Sequence, residues 1–163
     1  MLSYAPATSY ELKQRVGMTI GNFWAFAHSQ LYDEPARLAE DGLVTATVEQ
    51  GGRRKRTYSI TPAGRDALAA WLATESREQT EVRDIGLLKL FFSTIGTPED
   101  LRRLAQDRYE SHKARADNYL AQHEQIVDHA DRWQVKTLEL GIRFERTVEA
   151  FWAEFIAELD AES

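Results

Sequence analysis

GLVTATVEQGGRRKRTYSITPAG, residues 42–64, decides the architecture. Leu43 and Val44 open a β-like run to Val48, residues 57–60 are β-branched and aromatic, and Gly51-Gly52 lies between them, so the stretch predicts a β-hairpin. Four cations in a row, Arg53, Arg54, Lys55 and Arg56, occupy its tip, and no acid is nearer than Glu49. The hairpin therefore ends in a focused positive charge. Thr61-Pro62 then supplies an N-cap and a proline at the first helical position. The helix they start carries Ala63, Leu68, Trp71 and Leu72 on its apolar side and ends near Ser76.

Upstream, Thr8 or Ser9 caps a short amphipathic helix with Tyr10, Leu12 and Val16, stopped at Gly17. Gly21-Asn22 breaks the pattern, after which Phe26, Leu31, Pro35, Leu38 and Ala39 predict a second helix ending at Asp41-Gly42. Downstream, residues 76–83 are polar and aperiodic, which makes them a linker and divides the chain into domains 1–76 and 77–163. Ile85, Leu88, Phe92 and Ile95 mark a short helix ended by Gly96, and Thr97-Pro98-Glu99-Asp100 restarts the chain as cap, proline and acidic first turn. Helical spacing from Leu101 continues to residue 129, a rod of about 48 Å. The last segment, Leu138 to Leu159, has an apolar face wider than a two-helix seam requires. With no third long helix to cover the surplus, a second copy about a two-fold axis is the expected partner. Leu120, His123, Val127, Leu138, Ile142, Val148, Phe155 and Leu159 are the expected dimer contacts. The fold class is mainly α: a winged helix-turn-helix domain followed by an α-helical dimerisation domain.

Composition narrows the function. The 163 residues are 43% hydrophobic and 28% charged, which excludes disorder and collagen-like structure. There are no cysteines, hence no disulfides, thiolate metal sites or thiol nucleophiles. No apolar stretch approaches the ~20 residues that span a bilayer, and no signal peptide opens the chain, so a cytoplasmic protein away from membranes is expected. Net charge is -6, yet residues 1–75 hold eight basic and eight acidic side chains, so the whole excess of acid lies beyond them. His28, His112, His123 and His129 lack metal-ligand spacing, and Gly51-Gly52 is a turn, not a phosphate loop. No catalytic residue, metal or cofactor is expected. His123 reads as an interior histidine or a dimer contact, and His129 as part of an exposed loop.

Helix, helix, basic-tipped hairpin and helix follow in the order of a winged helix-turn-helix. Within that order stand Ser9-Tyr10-Glu11-Leu12, Gly21-Asn22-Phe23-Trp24, Ser29-Gln30-Leu31-Tyr32, Arg37-Leu38, Gly42-Leu43-Val44 and Tyr58-Ser59-Ile60-Thr61-Pro62-Ala63-Gly64. The set resembles the PadR family, of the phenolic-acid-regulator type with a long helical C-terminal domain. That resemblance implies a dimeric repressor that binds a palindromic operator through the helix carrying Ser29, Gln30, Tyr32 and Arg37. It also implies release by a small hydrophobic or phenolic effector.

Chemically, Gln30 offers a donor and an acceptor to adenine, Ser29 and Tyr32 can bond phosphates or base edges, and Arg37 can neutralise a phosphate. Lys13 on the preceding helix is a candidate phosphate contact. Tyr10 and Tyr32 either join this surface or pack partly inside, and Leu31 and Leu38 are core in both cases. Arg53, Arg54, Lys55 and Arg56 reach backbone or minor groove from the hairpin. Trp24, Phe92, Trp133, Phe144 and Trp152 are candidates to line an effector pocket, although core packing accounts better for most of them. Members of the family usually carry a complete helix before the segment equivalent to residues 2–6, and its absence here would weaken the dimer. Pro35 stands deeper in the second helix than is usual, which predicts a kink or a late helix start, and Asp33 and Glu34 beside it would repel phosphates. The rival function is a winged-helix dimer that serves as a protein-interaction or small-molecule-binding module without specific DNA recognition.

Overall fold

The computed structural model describes every residue except 25, 28, 50–54, 162 and 163. The chain divides into two compact units, Met1–Gln79 and Thr80–Ser163.

In the first unit, Thr8 caps helix α1, Ser9–Gly17, through a reciprocal box with Glu11. A short 3₁₀ turn at Ile20–Asn22 leads to α2, Gln30–Glu40, whose C-terminal turn is closed by Gly42 at φ 73°. That left-handed backbone favours glycine. Strands β1, Val44–Val48, and β2, Arg56–Ile60, pair antiparallel with Val44 opposite Ile60 and Val48 opposite Arg56. Thr61 then caps α3, Pro62–Leu72. Its hydroxyl also donates to the carbonyl of Gly42 at 2.8 Å, locking the start of β1 to the start of α3. The core is small: Ala7, Leu12, Val16, Val44 and Tyr58 are buried, with Pro35 and Gly64.

The predicted order of elements is the observed one, and the fold is a mainly helical winged helix. Three details differ. Helix α2 starts at Gln30, not at Phe26, so of the two outcomes predicted for Pro35 it is the late start that occurs. Helix α3 stops at Leu72, short of Ser76. Burial along it falls from Gly64 to half-buried Leu68 and is gone at Trp71 and Leu72, because only its first turns are pressed against Leu43. Leu31 and Leu38, read as core, are half-buried in this thin unit.

The second unit begins with α4, Ile85–Phe91, capped by Asp84, whose Oδ1 accepts the Gly86 N–H at 2.6 Å. A 3₁₀ turn, Ser93–Ile95, precedes α5, Pro98–Ile126, which starts on the Thr97–Asp100 capping box. Helix α6, Arg132–Ala161, returns antiparallel to it, since Arg102 pairs with Asp160 near one end and Asp117 with Arg146 further along. Ala105, Ala116 and Tyr119 of α5 face Val135 and fully buried Trp152 of α6, and Gly141 lets the Tyr119 ring approach to 3.4 Å of where a Cβ would stand. A polar layer interrupts this seam. Buried His112 places Nδ1 2.6 Å from Glu145 Oε2, Arg115 Nε donates to the same oxygen at 3.1 Å, and Arg108 links His112 to Asp84 at the start of α4.

The expected dimer residues fall mostly along this intrachain seam. Leu120, Leu138, Ile142, Val148, Phe155 and Leu159 are half-buried, His123 lies 4.0 Å from Glu139, and Val127 is exposed. Leu138, Ile142 and Leu159 share the helical stripe of buried Val135, Glu145 and Trp152, so α5 already covers them. The larger apolar surplus stands on Trp133, Leu140, Phe144 and Phe151 of α6 and on the run from Ile85 to Ile95, where Phe91 is 79% and Ile95 90% exposed. Core packing accounts for only one of the five aromatic residues proposed for an effector pocket. Trp152 is buried, but Trp24 and Phe92, which lie outside the helices, and Trp133 and Phe144, which lie off the packed stripe of α6, are exposed. No helix of the described residues is long and apolar enough to cross a membrane.

Candidate nucleic-acid interface

The candidate interface is assembled from α1, α2 and the hairpin of the first unit. The segment before α1 is fixed first: Arg15 donates to the carbonyls of Ala5 and Pro6, and Ala7 exchanges two backbone bonds with Tyr58, at 3.0 and 2.9 Å. This docks α1 on β2. Glu11 then does two things at once. Its Oε2 accepts the Thr8 N–H at 2.8 Å and the Thr8 hydroxyl at 2.9 Å, and its Oε1 accepts Lys55 Nζ at 3.2 Å. The bonds from Thr8, and after them the one from Lys55, hold its carboxyl down to about 2.

Of the residues predicted to meet DNA, Tyr10 is exposed and Lys13 half-buried on α1, and Tyr10 accepts a bond from Gln14. Tyr32 is 48% exposed on α2. Ser29 precedes the helix in right-handed helical backbone, and its hydroxyl makes no capping bond. Gln30 bonds back to the preceding segment, its Oε1 accepting the Ala27 N–H at 3.1 Å, and its amide nitrogen remains available as a donor on an exposed side chain. Arg37 is held by Glu34, which accepts from its Nε at 3.1 Å and its Nη2 at 2.7 Å. Lys55 and Arg56 are exposed at the loop end of the hairpin, where Arg56 pairs with Val48, and Arg53 and Arg54 lie outside the described residues. Sequence reasoning missed Arg15 and the bonds that Glu11 and Glu34 make, Glu34 having been read only as repelling phosphates. Glu11 and Glu34 each occupy a cation that had been counted as free for phosphate.

In the second unit, Phe92 lines a groove of 520 Å³ between α4 and α5, with Ile85, Leu88, Leu101 and Leu104 for its apolar wall and two cations, Lys89 and Arg103, beside two carboxylates, Asp100 and Asp107. The other four aromatic candidates do not line it. Among the described residues, no cluster of histidine and carboxylate side chains is arranged to hold a metal ion.

Residues 1–70 match the transcriptional regulator PadR-like family, and residues 82–160 match the C-terminal domain of the virulence activator alpha family. The chain carries a PadR-like domain. The negative transcriptional regulator PadR of Bacillus subtilis is 22% identical over 143 residues, spanning 86% of this chain and 79% of that protein. Among solved structures, a PadR-like transcriptional regulator from Bacillus cereus superposes with a TM-score of 0.88 at 18% identity, covering 99% of this chain and 94% of that one. Bacillus subtilis PadR in complex with operator DNA gives 0.83 at 21% identity, with 97% and 94% covered. The same protein in complex with p-coumaric acid gives 0.78 at 22% identity, with 98% and 90% covered. The PadR-like fold thus extends across both units, and the family that residues 1–70 match is one of transcriptional regulators.

Proposed function

We propose that this protein is a sequence-specific DNA-binding repressor, acting in the cytoplasm as a homodimer on a palindromic operator and released by a small hydrophobic or phenolic effector. The observation that carries the reading is the pairing of α2 with a cationic hairpin in one PadR-like domain. A helix enters the major groove while the hairpin, with Lys55, Arg56 and the adjoining Arg53 and Arg54, approaches the backbone. Tyr10, Lys13, Ser29, Gln30, Tyr32 and Arg37 supply the rest of the contact surface. Domain assignment follows the same division of labour, with DNA contact in residues 1–76 and dimerisation and effector binding in 77–163.

Two further features support the finer reading. Exposed Leu87, Phe91 and Ile95 give a second copy an apolar surface to bury. The groove at Phe92 has apolar walls, which suit the ring of an aromatic compound such as the one bound in the Bacillus subtilis PadR structure, and its charged lining is mixed, Lys89 and Arg103 with Asp100 and Asp107. Release requires the effector to favour a dimer whose two α2 helices depart from the separation of about 34–36 Å that adjacent major grooves impose. An effector with equal affinity for both arrangements would shift nothing.

One observation favours the rival module without specific DNA recognition: α2 carries Asp33, Glu34 and Glu40 against Arg37 alone, a net charge of -2. Selection of bound sequences from a random duplex library by the purified protein separates the two. A palindrome enriched over many rounds supports the repressor. Binding that collapses with salt and prefers no sequence supports the module.

A further inference from the structure

We infer that Arg37 reads a guanine edge and that Glu34 is the residue that positions it, an inference that rests on the DNA-binding reading above. Gln30, Asp33, Arg37 and Glu40 recur at intervals of three and four, and all four are exposed. They form the outward stripe of α2, opposite buried Pro35 and half-buried Leu31 and Leu38. The stripe that faces away from the core is the one a groove floor would meet, whereas phosphates are reached from a helix's flanks.

The clamp on Arg37 is lopsided. Nε and Nη2 both donate to the same carboxylate oxygen, Oε2 of Glu34, so the side edge of the guanidinium is taken. Its end edge, Nη1 with the second hydrogen of Nη2, accounts for no other bond among the described residues. Two consequences follow. The pair as a whole carries no net charge, which removes most of the Coulombic attraction and counterion release that a phosphate contact depends on. Hydrogen bonding by the end edge survives, and its two parallel donors match the O6 and N7 acceptors of guanine, which are uncharged. Asp33 and Glu40 on the same stripe strengthen the distinction, since they repel a phosphate more than a neutral base edge. The contact between carboxylate and guanidinium also fixes which way the fork points, and a bidentate base contact needs that.

The test compares the full-length protein with three variants in the duplex selection, followed by salt titration on the winning sequence. E34A/R37A replaces a neutral pair by a neutral pair on exposed helix, where alanine is the best helix former, so folding is preserved. We expect the wild type to prefer guanine by about tenfold or more at one position of each half-site. E34A/R37A should erase that preference alone, with the slope of log affinity against log salt changed by less than about one. R37K, which keeps the charge and loses the fork, should erase most of it, and E34Q should weaken it about two- to fivefold. The proposal is overturned if R37K keeps the guanine preference, or if E34A/R37A lowers binding to all sequences alike and flattens the slope, as loss of a phosphate contact would. A wild-type protein that enriches no sequence fails at an earlier step and overturns the DNA-binding reading along with this one.

Discussion

Glu11 shows how one side chain couples a helix cap to the hairpin. Its carboxyl is depressed from 4.5 to about 2, first by the Thr8 backbone and side-chain bonds and then by Lys55. A group whose folded pKa is lowered contributes stability above its unfolded pKa and loses it as pH falls through the folded value. Glu11→Gln should therefore lower the unfolding temperature at neutral pH, and the gap from wild type should close between pH 4.5 and about 2 in a calorimetric series. A gap that stays constant over that window would show that the two partners contribute nothing through ionisation. At the DNA surface, alanine at Arg53, Arg54 and Arg56 should weaken binding to every duplex and flatten its salt dependence, whereas Gln30→Ala should change which sequence is selected. The reverse pattern would exchange the roles given to helix and hairpin. The Thr8 cap was legible from residue type and position. The Lys55 bond was not, because its partners lie 44 residues apart. Glu34 and Arg37 are only three apart, but a carboxylate at that distance was read as repelling DNA when it is in fact bonded to the arginine.

Among the elements, those with a local chemical start or stop were read closely: α1 from Thr8 to Gly17, the strand to Val48, α3 at Thr61-Pro62 and α5 at Thr97. The start of α2 was misplaced because no side-chain oxygen of Ser, Thr, Asp or Asn marks it, and a glutamine inside the helix bonds back to Ala27. Local chemistry also did not reveal which faces are covered, since Trp71 and Leu72 continue an apolar pattern beyond the part of α3 that is packed. The tightest joint is Gly64, where a Cβ would stand 2.0 Å from the Leu43 carbonyl oxygen. Gly64→Ala should destabilise the first unit by about 1–3 kcal/mol, seen as an earlier transition in denaturant. In the second unit, His112 and Glu145 are 33 positions apart in helices crowded with charges, so nothing in the spacing announced that they meet inside. Glu145→Ala strands His112 and the inner side of Arg115, and should cost about 3 kcal/mol by the same measurement. A variant as stable as wild type would mean the layer is already well hydrated.

For the whole molecule, charge and apolar surface are unevenly shared. The first 75 residues are neutral and the remainder carries the net -6, so an acidic half would accompany a DNA-facing one. Duplex affinity should accordingly fall steeply with salt even though the protein as a whole is an anion. Its run of exposed side chains from Ile85 to Ile95 is the surface whose burial a dimer would complete. Sedimentation should give twice the chain mass for wild type, and Phe91→Asp with Ile95→Asp should shift it to one chain mass with helicity retained. Wild-type protein that sediments as a monomer at micromolar concentration would end the two-fold reading. Helix length and face width prompted the expectation of a partner. The face such a partner would use could not be read from them, because the same periodicity serves the intrachain seam. The Ala7–Tyr58 bridge bears on how such an assembly could adapt. Because β2 is held on one edge by β1 and, at Tyr58, on the other by Ala7 of the segment that runs into α1, the paired strands and α1 should tilt together as a single lever. A duplex with differently spaced grooves would be met by tilting that entire lever, not by bending the paired strands at their root.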